Sequence, residues 1–181
     1  ANWNADMTRT VPVNGRFTER QRDVYNSVLS VQRGSMDFLR PGVTQQEWRD
    51  YTIELMEAEL IRLGLIDADD AKEQDPNNRH LVKKYYMHGI GHHLGLDVHD
   101  VGGGRQGDDG PERTLTPGMV LTIEPGLYFG AWREDIEIDS KWAGIGIRIE
   151  DDVLITEDGP VILTSKCPKE VSEIEAIVGN N

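Results

Sequence analysis

Two nearly apolar runs in this chain each carry a glutamate, and that placement restricts the fold more than any other feature. The first, Thr116-Pro-Gly-Met-Val-Leu-Thr-Ile-Glu124-Pro-Gly-Leu-Tyr128, opens at a Pro-Gly turn and meets its carboxylate just before a second Pro-Gly. In the second, Gly144-Ile-Gly-Ile-Arg148-Ile-Glu150-Asp-Asp-Val-Leu-Ile-Thr156, isoleucines at 145, 147 and 149 alternate with Gly146, Arg148 and Glu150. Period two puts the isoleucines on one face of a strand and Arg148 with Glu150 on the other. One face is core and the other is chemistry. A solvated strand edge would accommodate one such glutamate. Two of them in otherwise apolar strands imply pairing or a metal, because an uncompensated buried carboxylate is costly.

The stretch His88-Gly-Ile-Gly-His92-His93-Leu-Gly-Leu-Asp-Val-His99-Asp100 places four of the chain's five histidines within twelve residues. Clustered imidazoles add nothing to packing, whereas metal centres and proton-transfer sites need groups that change charge near neutral pH. Glycines at 89, 91 and 95 let the backbone approach a bound group. An exposed histidine-rich loop is the plain alternative, and it applies best to His93, whose neighbour competes for the same direction. His80 lies outside the block and takes no role. Asp97 and Asp100 either orient the histidines as outer acceptors or cap local turns. Near the start, Asp6 precedes the β-branched, turn-closed segment Thr10-Val-Pro-Val-Asn-Gly15; alone it is an ordinary loop aspartate.

Around these segments the pattern predicts an α+β unit. Thr18-Glu-Arg-Gln21 and Thr44-Gln-Gln-Glu47 have the form of capping boxes, opening one helix that ends at Pro41-Gly42 and another that ends near Gly64. Val24, Val28, Val31 and Leu39 form the apolar stripe of the first, and Trp48, Tyr51, Leu55 and Leu63 that of the second, so both are expected to cover the sheet. Residues 65–80 read as a polar loop. Pro168 to Val178 reads as a terminal helix with proline in its first turn. Ala1 to Asp6 reads as the middle of a strand or hairpin.

Thirty-two acidic against nineteen basic residues give a net charge of −13, which argues against a nucleic-acid partner. Most of the excess is expected in solvated segments such as Asp67 to Asp75 and Arg133 to Asp139. Cys167 is the single cysteine, so no intrachain disulfide is available and a reducing compartment, the cytoplasm, is the simpler assumption. No apolar run approaches the roughly eighteen residues needed to span a membrane.

Four blocks, Asp6-Met-Thr-Arg-Thr-Val-Pro-Val-Asn-Gly-Arg-Phe-Thr18, the histidine block, Leu121-Thr-Ile-Glu-Pro-Gly-Leu-Tyr128 and Gly144-Ile-Gly-Ile-Arg-Ile-Glu-Asp-Asp152, together resemble the catalytic domain of the aminopeptidase P (Xaa-Pro aminopeptidase) family of pita-bread metallopeptidases. They occur in the family's order and cover most of the chain. The resemblance implies a pita-bread fold, of which residues 1–181 form the C-terminal portion, a curved antiparallel-rich sheet covered by helices. It implies that Asp6, His92, Glu124 and Glu150 are metal ligands, Asp6 and Glu150 bridging two divalent ions. It gives His99 a contact with the scissile peptide and its transition state, and gives His88, Tyr128 and Arg148 the walls of a pocket for the proline ring, with His88 and Glu124 also counted among the catalytic groups.

Three carboxylates and one imidazole form a hard donor set suited to manganese, with cobalt or zinc as alternatives, and the absence of thiolates argues against structural zinc. The implied reaction is attack by a hydroxide shared by the ions on the carbonyl before proline, with His99 stabilising the oxyanion and Glu124 carrying the proton to the leaving nitrogen. The family pattern also contains an aspartate eleven residues before Asp6, and Ala1 lies only five before it. The expectation is therefore that an N-terminal domain and the first part of the catalytic domain are absent from these residues, that the rest of the polypeptide is a partner, and that the fragment alone is inactive. A homodimer and peptides with proline in second position are the other implied partners. Prolidase, cleaving dipeptides only, would share every ligand. A non-catalytic pita-bread binding scaffold is the alternative of another class, and retention of the ligand positions weighs against it.

Overall fold

Both capping boxes form as their spacing requires. In the computed structural model, which describes residues 2–102, 104–105, 110–130 and 136–179, Thr18 opens α1 (Glu19–Phe38) and Thr44 opens α2 (Gln45–Arg62). Each threonine hydroxyl accepts from the backbone three residues on, while Gln21 or Glu47 reaches back to the cap. α1 buries Val24, Val28 and Val31, and Leu39 at its C-cap, as its stripe predicts. α2 is rotated from expectation: Trp48, Thr52, Met56 and Leu60, one i,i+4 row, are buried, while Tyr51, Leu55 and Leu63 are only partly so.

The rotation has a cause at the crossing of the two helices. Gly34 admits Leu55, whose Cδ1 would lie 2.7 Å from a Cβ at that position. Beside it runs a closed hydroxyl circuit. Trp48 Nε1 donates to Ser35 Oγ (2.7 Å), Ser35 donates to Thr52 Oγ1 (2.9 Å), and Thr52 donates to Trp48 O (2.9 Å). α2 thus packs chiefly on α1, and reaches the sheet through Trp48, which joins Leu121, Ile123, Val153 and Ile155 in one apolar cluster. α1 lies directly on the strands, with Val24, Val28 and Val31 clustered with Leu127, Ile147 and Ile149.

Residues 65–80 are more ordered than a polar loop. Asp67 accepts from the Asp69 and Asp70 N–H groups and caps α3 (Ala68–Glu73), which buries Ala71, and α4 (His80–Lys83) begins at the segment's end. The acids Asp67, Asp69 and Asp70 are solvated as expected; of the Arg133 to Asp139 segment, residues 133–135 lie outside the described residues.

Each of the two expected strands is cut in two at its glutamate. The first gives β1 (Val120–Ile123) and β2 (Gly126–Tyr128), the second β3 (Gly146–Arg148) and β4 (Asp151–Thr156). β4 continues through a turn at Glu157-Asp158 into β5 (Gly159–Ile162), a strand that the sequence reading did not anticipate, with Gly159 at φ +116°. The sheets are antiparallel, with orders β1-β4-β5 and β2-β3. α5 (Val171–Val178) starts three residues later than expected, because the carboxylate of Glu173 takes the Glu170 N–H and the carbonyls of Cys167 and Pro168 are engaged by Arg9. Residues 2–8 form no strand, contrary to the reading of the first residues, and Asn4 instead donates its N–H to Gly95 O (2.8 Å).

The hydroxyl circuit yields a stability prediction. Ser35→Ala strands the buried Trp48 N–H, and an unsatisfied buried donor costs about 1–3 kcal/mol. Urea unfolding should show that loss with an unchanged m-value; a parent-like midpoint would disprove the circuit's role.

Candidate metal centre

The two halves of the interrupted ladder share one register. Ile123 faces Asp151 in the first pairing and Gly126 faces Arg148 in the second, so Glu124 stands opposite Glu150 in the gap between them. Facing residues in an antiparallel pair share a side of the sheet. One side therefore carries Thr122 and Asp152, Glu124 and Glu150, Arg148, and Tyr128, while Leu121, Ile123, Leu127, Ile147, Ile149 and Val153 fill the core on the other. The division into a core face and a chemical face is as the alternation predicts.

The histidine block reaches this face by pairing with β1. Thr122 N donates to His92 O (2.9 Å), Leu94 N to Val120 O (3.0 Å) and Glu124 N to Ile90 O (2.8 Å). Gly91 makes the approach possible, since a Cβ there would sit 1.9 Å from Thr122 O. His92 lands beside Glu124, its Nε2 3.6 Å from Glu124 Oε1 and 3.5 Å from Asp6 Oδ2. Its Nδ1 lies 3.0 Å from the His93 carbonyl. A carbonyl only accepts, so Nδ1 carries a proton, and Nε2 is the nitrogen turned toward two carboxylates. That arrangement is repulsive unless a cation, a proton or a metal, lies between them.

Asp6, His92 and Glu150 each offer one donor atom, all within 4.8 Å of one another. Donors around one ion at about 2.0–2.2 Å are separated by roughly 3–4 Å, so a small contraction closes the cluster. Glu150 is buried, its carboxylate accepting from Thr8 Oγ1. Burial pushes its carboxyl above the ordinary range, and neighbouring Glu124 and Asp6 push it further against the pull of the Thr8 hydroxyl. The Asp6 N–H donates to Asp152 Oδ2 (3.1 Å); the other oxygen of Asp152 is buried with no hydrogen-bond partner among the described residues. Burial raises the Asp152 carboxyl as well. Four acids converging with little compensation are a donor set fit for divalent cations.

Next to the acids, Arg148 Nε donates to Tyr128 Oη (2.8 Å), and Tyr128 donates to His88 Nε2 (2.7 Å), whose Nδ1 faces Gly89 O (2.7 Å). Both His88 nitrogens are engaged. Burial lowers its pKa and raises that of the Tyr128 phenol, so the ring stays neutral and the phenol keeps its proton. Gly126 leaves room for the folded-back ring: a Cβ there would lie 2.4 Å from Tyr128 Oη. Arg148 also approaches Glu124 at 3.6 Å. The exposed His99 stands on the rim, its ring 4.3 Å from that of His92, and an open cavity of about 310 Å³ is lined by His88, His92, His99, Glu124 and Arg148.

All the site residues expected from the sequence thus come together. His93 is buried and packs against Gly102, contrary to the exposed-loop alternative, because the segment that carries it pairs with β1. Asp100 accepts from the Leu96 and Val101 backbones, the turn-capping alternative. Thr8, Thr122 and Asp152 were not singled out, although Thr122 and Asp152 lie two residues from Glu124 and Glu150, on the same face by simple alternation.

The sequence profile of metallopeptidase family M24 matches residues 1–157. The Xaa-Pro aminopeptidase of Escherichia coli is 45% identical over 176 residues, covering 97% of this chain and 38% of that protein. A Pseudomonas aeruginosa aminopeptidase structure superposes with a TM-score of 0.82 at 40% identity, over 98% of this chain and 39% of the other. A zinc-substituted aminopeptidase P from E. coli, bound to product, gives 0.81 at 41% identity, over 98% and 38%. The chain thus spans about two fifths of the length of these relatives.

The facing carboxylates predict an inverted mutational effect in chelator. A carboxyl raised by folding binds more protons folded than unfolded, so the contribution of Glu150 to metal-free stability should rise as pH falls through its raised value and level off below about 4.3. At neutral pH the repulsion is fully present, and like charges opposite each other cost roughly 0.2–1 kcal/mol. Glu150→Gln should therefore raise the metal-free Tm at pH 7 by up to about 4 °C, an advantage that fades as pH falls through the raised value of Glu150 and is gone by about 4.3. A lowered Tm in calorimetry would count against the repulsion.

Proposed function

Because this chain belongs to metallopeptidase family M24, we propose that it carries the divalent-metal centre of an Xaa-Pro aminopeptidase, which hydrolyses the bond between an N-terminal residue and a following proline. Its helices and antiparallel ladders are the α+β pita-bread fold of that family. The observation that carries the proposal is the convergence of Asp6, His92, Glu124 and Glu150 from a loop, the histidine block and two facing ladder positions. Two divalent ions bound there would polarise a carbonyl and bring the pKa of water toward about 7. Manganese suits so oxygen-rich a set, and cobalt and zinc are accommodated by the imidazole.

The remaining steps fall to side chains. His99, beside His92 at the open rim, would meet the scissile carbonyl and stabilise its developing negative charge. Glu124 would take a proton and return it to the imino nitrogen that leaves. With both nitrogens occupied, His88 would act as a wall; its neutral ring and that of Tyr128 offer flat surfaces to a proline ring, which has no amide hydrogen to be recognised. Arg148 would anchor polar groups of the downstream peptide.

The residues described would serve as the C-terminal part of the catalytic domain of a cytoplasmic homodimer, with a further acid for the second ion supplied by the rest of the polypeptide. No helix among the described residues is long and apolar enough to cross a membrane.

The test uses a polypeptide containing the whole catalytic domain, assayed on a long Xaa-Pro-Pro peptide and on the dipeptide Gly-Pro; cleavage of the dipeptide alone would favour a prolidase. His99→Ala should keep its metal by elemental analysis and lose about 10² to 10⁴ in turnover, whereas Glu150→Gln should lose metal and activity together. An active protein without bound metal would overturn the proposal.

A further inference from the structure

Gln32 lies in the middle of α1 with none of its surface exposed, a polar side chain against the core face of the sheet. Its amide nitrogen donates to Ile149 O (3.0 Å) and to Ile123 O (3.4 Å). These are the carbonyls of the residues immediately before Glu150 and Glu124. In a trans peptide the C=O and the following N–H share one plane and point in opposite directions. At the far edge of the first plane Glu150 N donates to Thr8 O (3.0 Å), and at that of the second Glu124 N donates to Ile90 O (2.8 Å). Both planes are fixed at two edges, and Gln32 is the side chain they share.

The clamp falls where the ladder is weakest. Proline has no N–H to give, so Pro125 leaves a missing rung at the point where two carboxylates on the opposite face push the strands apart. Lys169 fixes the orientation of the clamp, since its ammonium donates to Gln32 Oε1 (3.2 Å) and so turns the amide N–H groups toward the carbonyls. Lys169 is itself held by the fully buried Asp151 (2.6 Å), whose second oxygen accepts from Arg9 and Thr164 (2.6 Å each), and Arg9 returns to donate to Glu150 O (2.6 Å). A closed polar network thus stands behind the two glutamates.

We propose that Gln32 is a positioning residue that sets the separation of the Glu124 and Glu150 carboxylates, and so tunes metal affinity from the opposite face of the sheet. The inference rests on the metal reading above. The test is titration of a polypeptide containing the whole catalytic domain with cobalt(II), followed by visible absorption, with far-UV circular dichroism to establish folding. Gln32→Met and Gln32→Glu both remove the two donors, and the glutamate variant retains an acceptor for Lys169. Each should bind cobalt about 10- to 100-fold more weakly with a changed ligand-field spectrum. Ser35→Ala, destabilised on the same helix but directed at α2, should bind as the parent does. Should neither Gln32 variant fold, Lys169→Met releases the clamp from outside the helix and should show the same loss. Parent-like affinity and spectrum in a folded Gln32 or Lys169 variant overturn the positioning role alone, while failure of the parent to bind cobalt overturns the metal reading with it.

Discussion

Two carboxylates facing each other across an antiparallel ladder set the terms for this molecule. Ordinary sheets place opposite charges or apolar pairs in such positions, because like charges there push the strands apart. Here Glu150 is buried, so solvent screens the repulsion poorly. The neighbourhood answers in part: Arg148 lies beside Glu124, and the Thr8 and Thr122 hydroxyls donate to carboxylate oxygens. None of these neutralises the set. Such a set suits cations, and the rest of the fold holds the two strands together against the repulsion.

That resistance explains an otherwise odd distribution of buried polar groups. A small domain gains little from placing Arg9, Asp151 and Lys169 beneath a sheet, since desolvation offsets most of the attraction. Their placement is spatially specific, for the Arg9 guanidinium and the Gln32 amide grip the main chain on both sides of Glu150. In α1 and α2, by contrast, the polar groups of Ser35, Thr52 and Trp48 satisfy one another and leave the main chain of the sheet alone. The same helix thus serves as a core element at one end and as a backing plate for the site at Gln32.

What the sequence made legible was local. Alternation in the segment 145–150 identified the two faces, the capping boxes identified both long helices, and the coincidence of four motif blocks identified the candidate ligands. What escaped it depends on contacts distant along the chain. Thr8 to Thr10 bond to the main chain of residues 148–150 from more than a hundred residues away in sequence, a pairing that no local pattern encodes. The rotation of α2 follows from Leu55 fitting over Gly34, and no stripe within α2 encodes that. Gln32 left a faint signal, a polar residue among the valines of an otherwise apolar face, which reads equally well as a helix surface position until its two acceptors are known.

Gly126 shows how far a single close approach can reach. Because Tyr128 folds back over a position without a side chain, the ring, Arg148 and His88 form one hydrogen-bonded series whose geometry depends on an atom that is missing. Position 126 and position 128 are therefore not free to drift separately. A methyl group at the first would demand a smaller residue at the second, and the loss of the phenol would release both the guanidinium and the imidazole. Among homologous sequences, the two positions should change together or not at all.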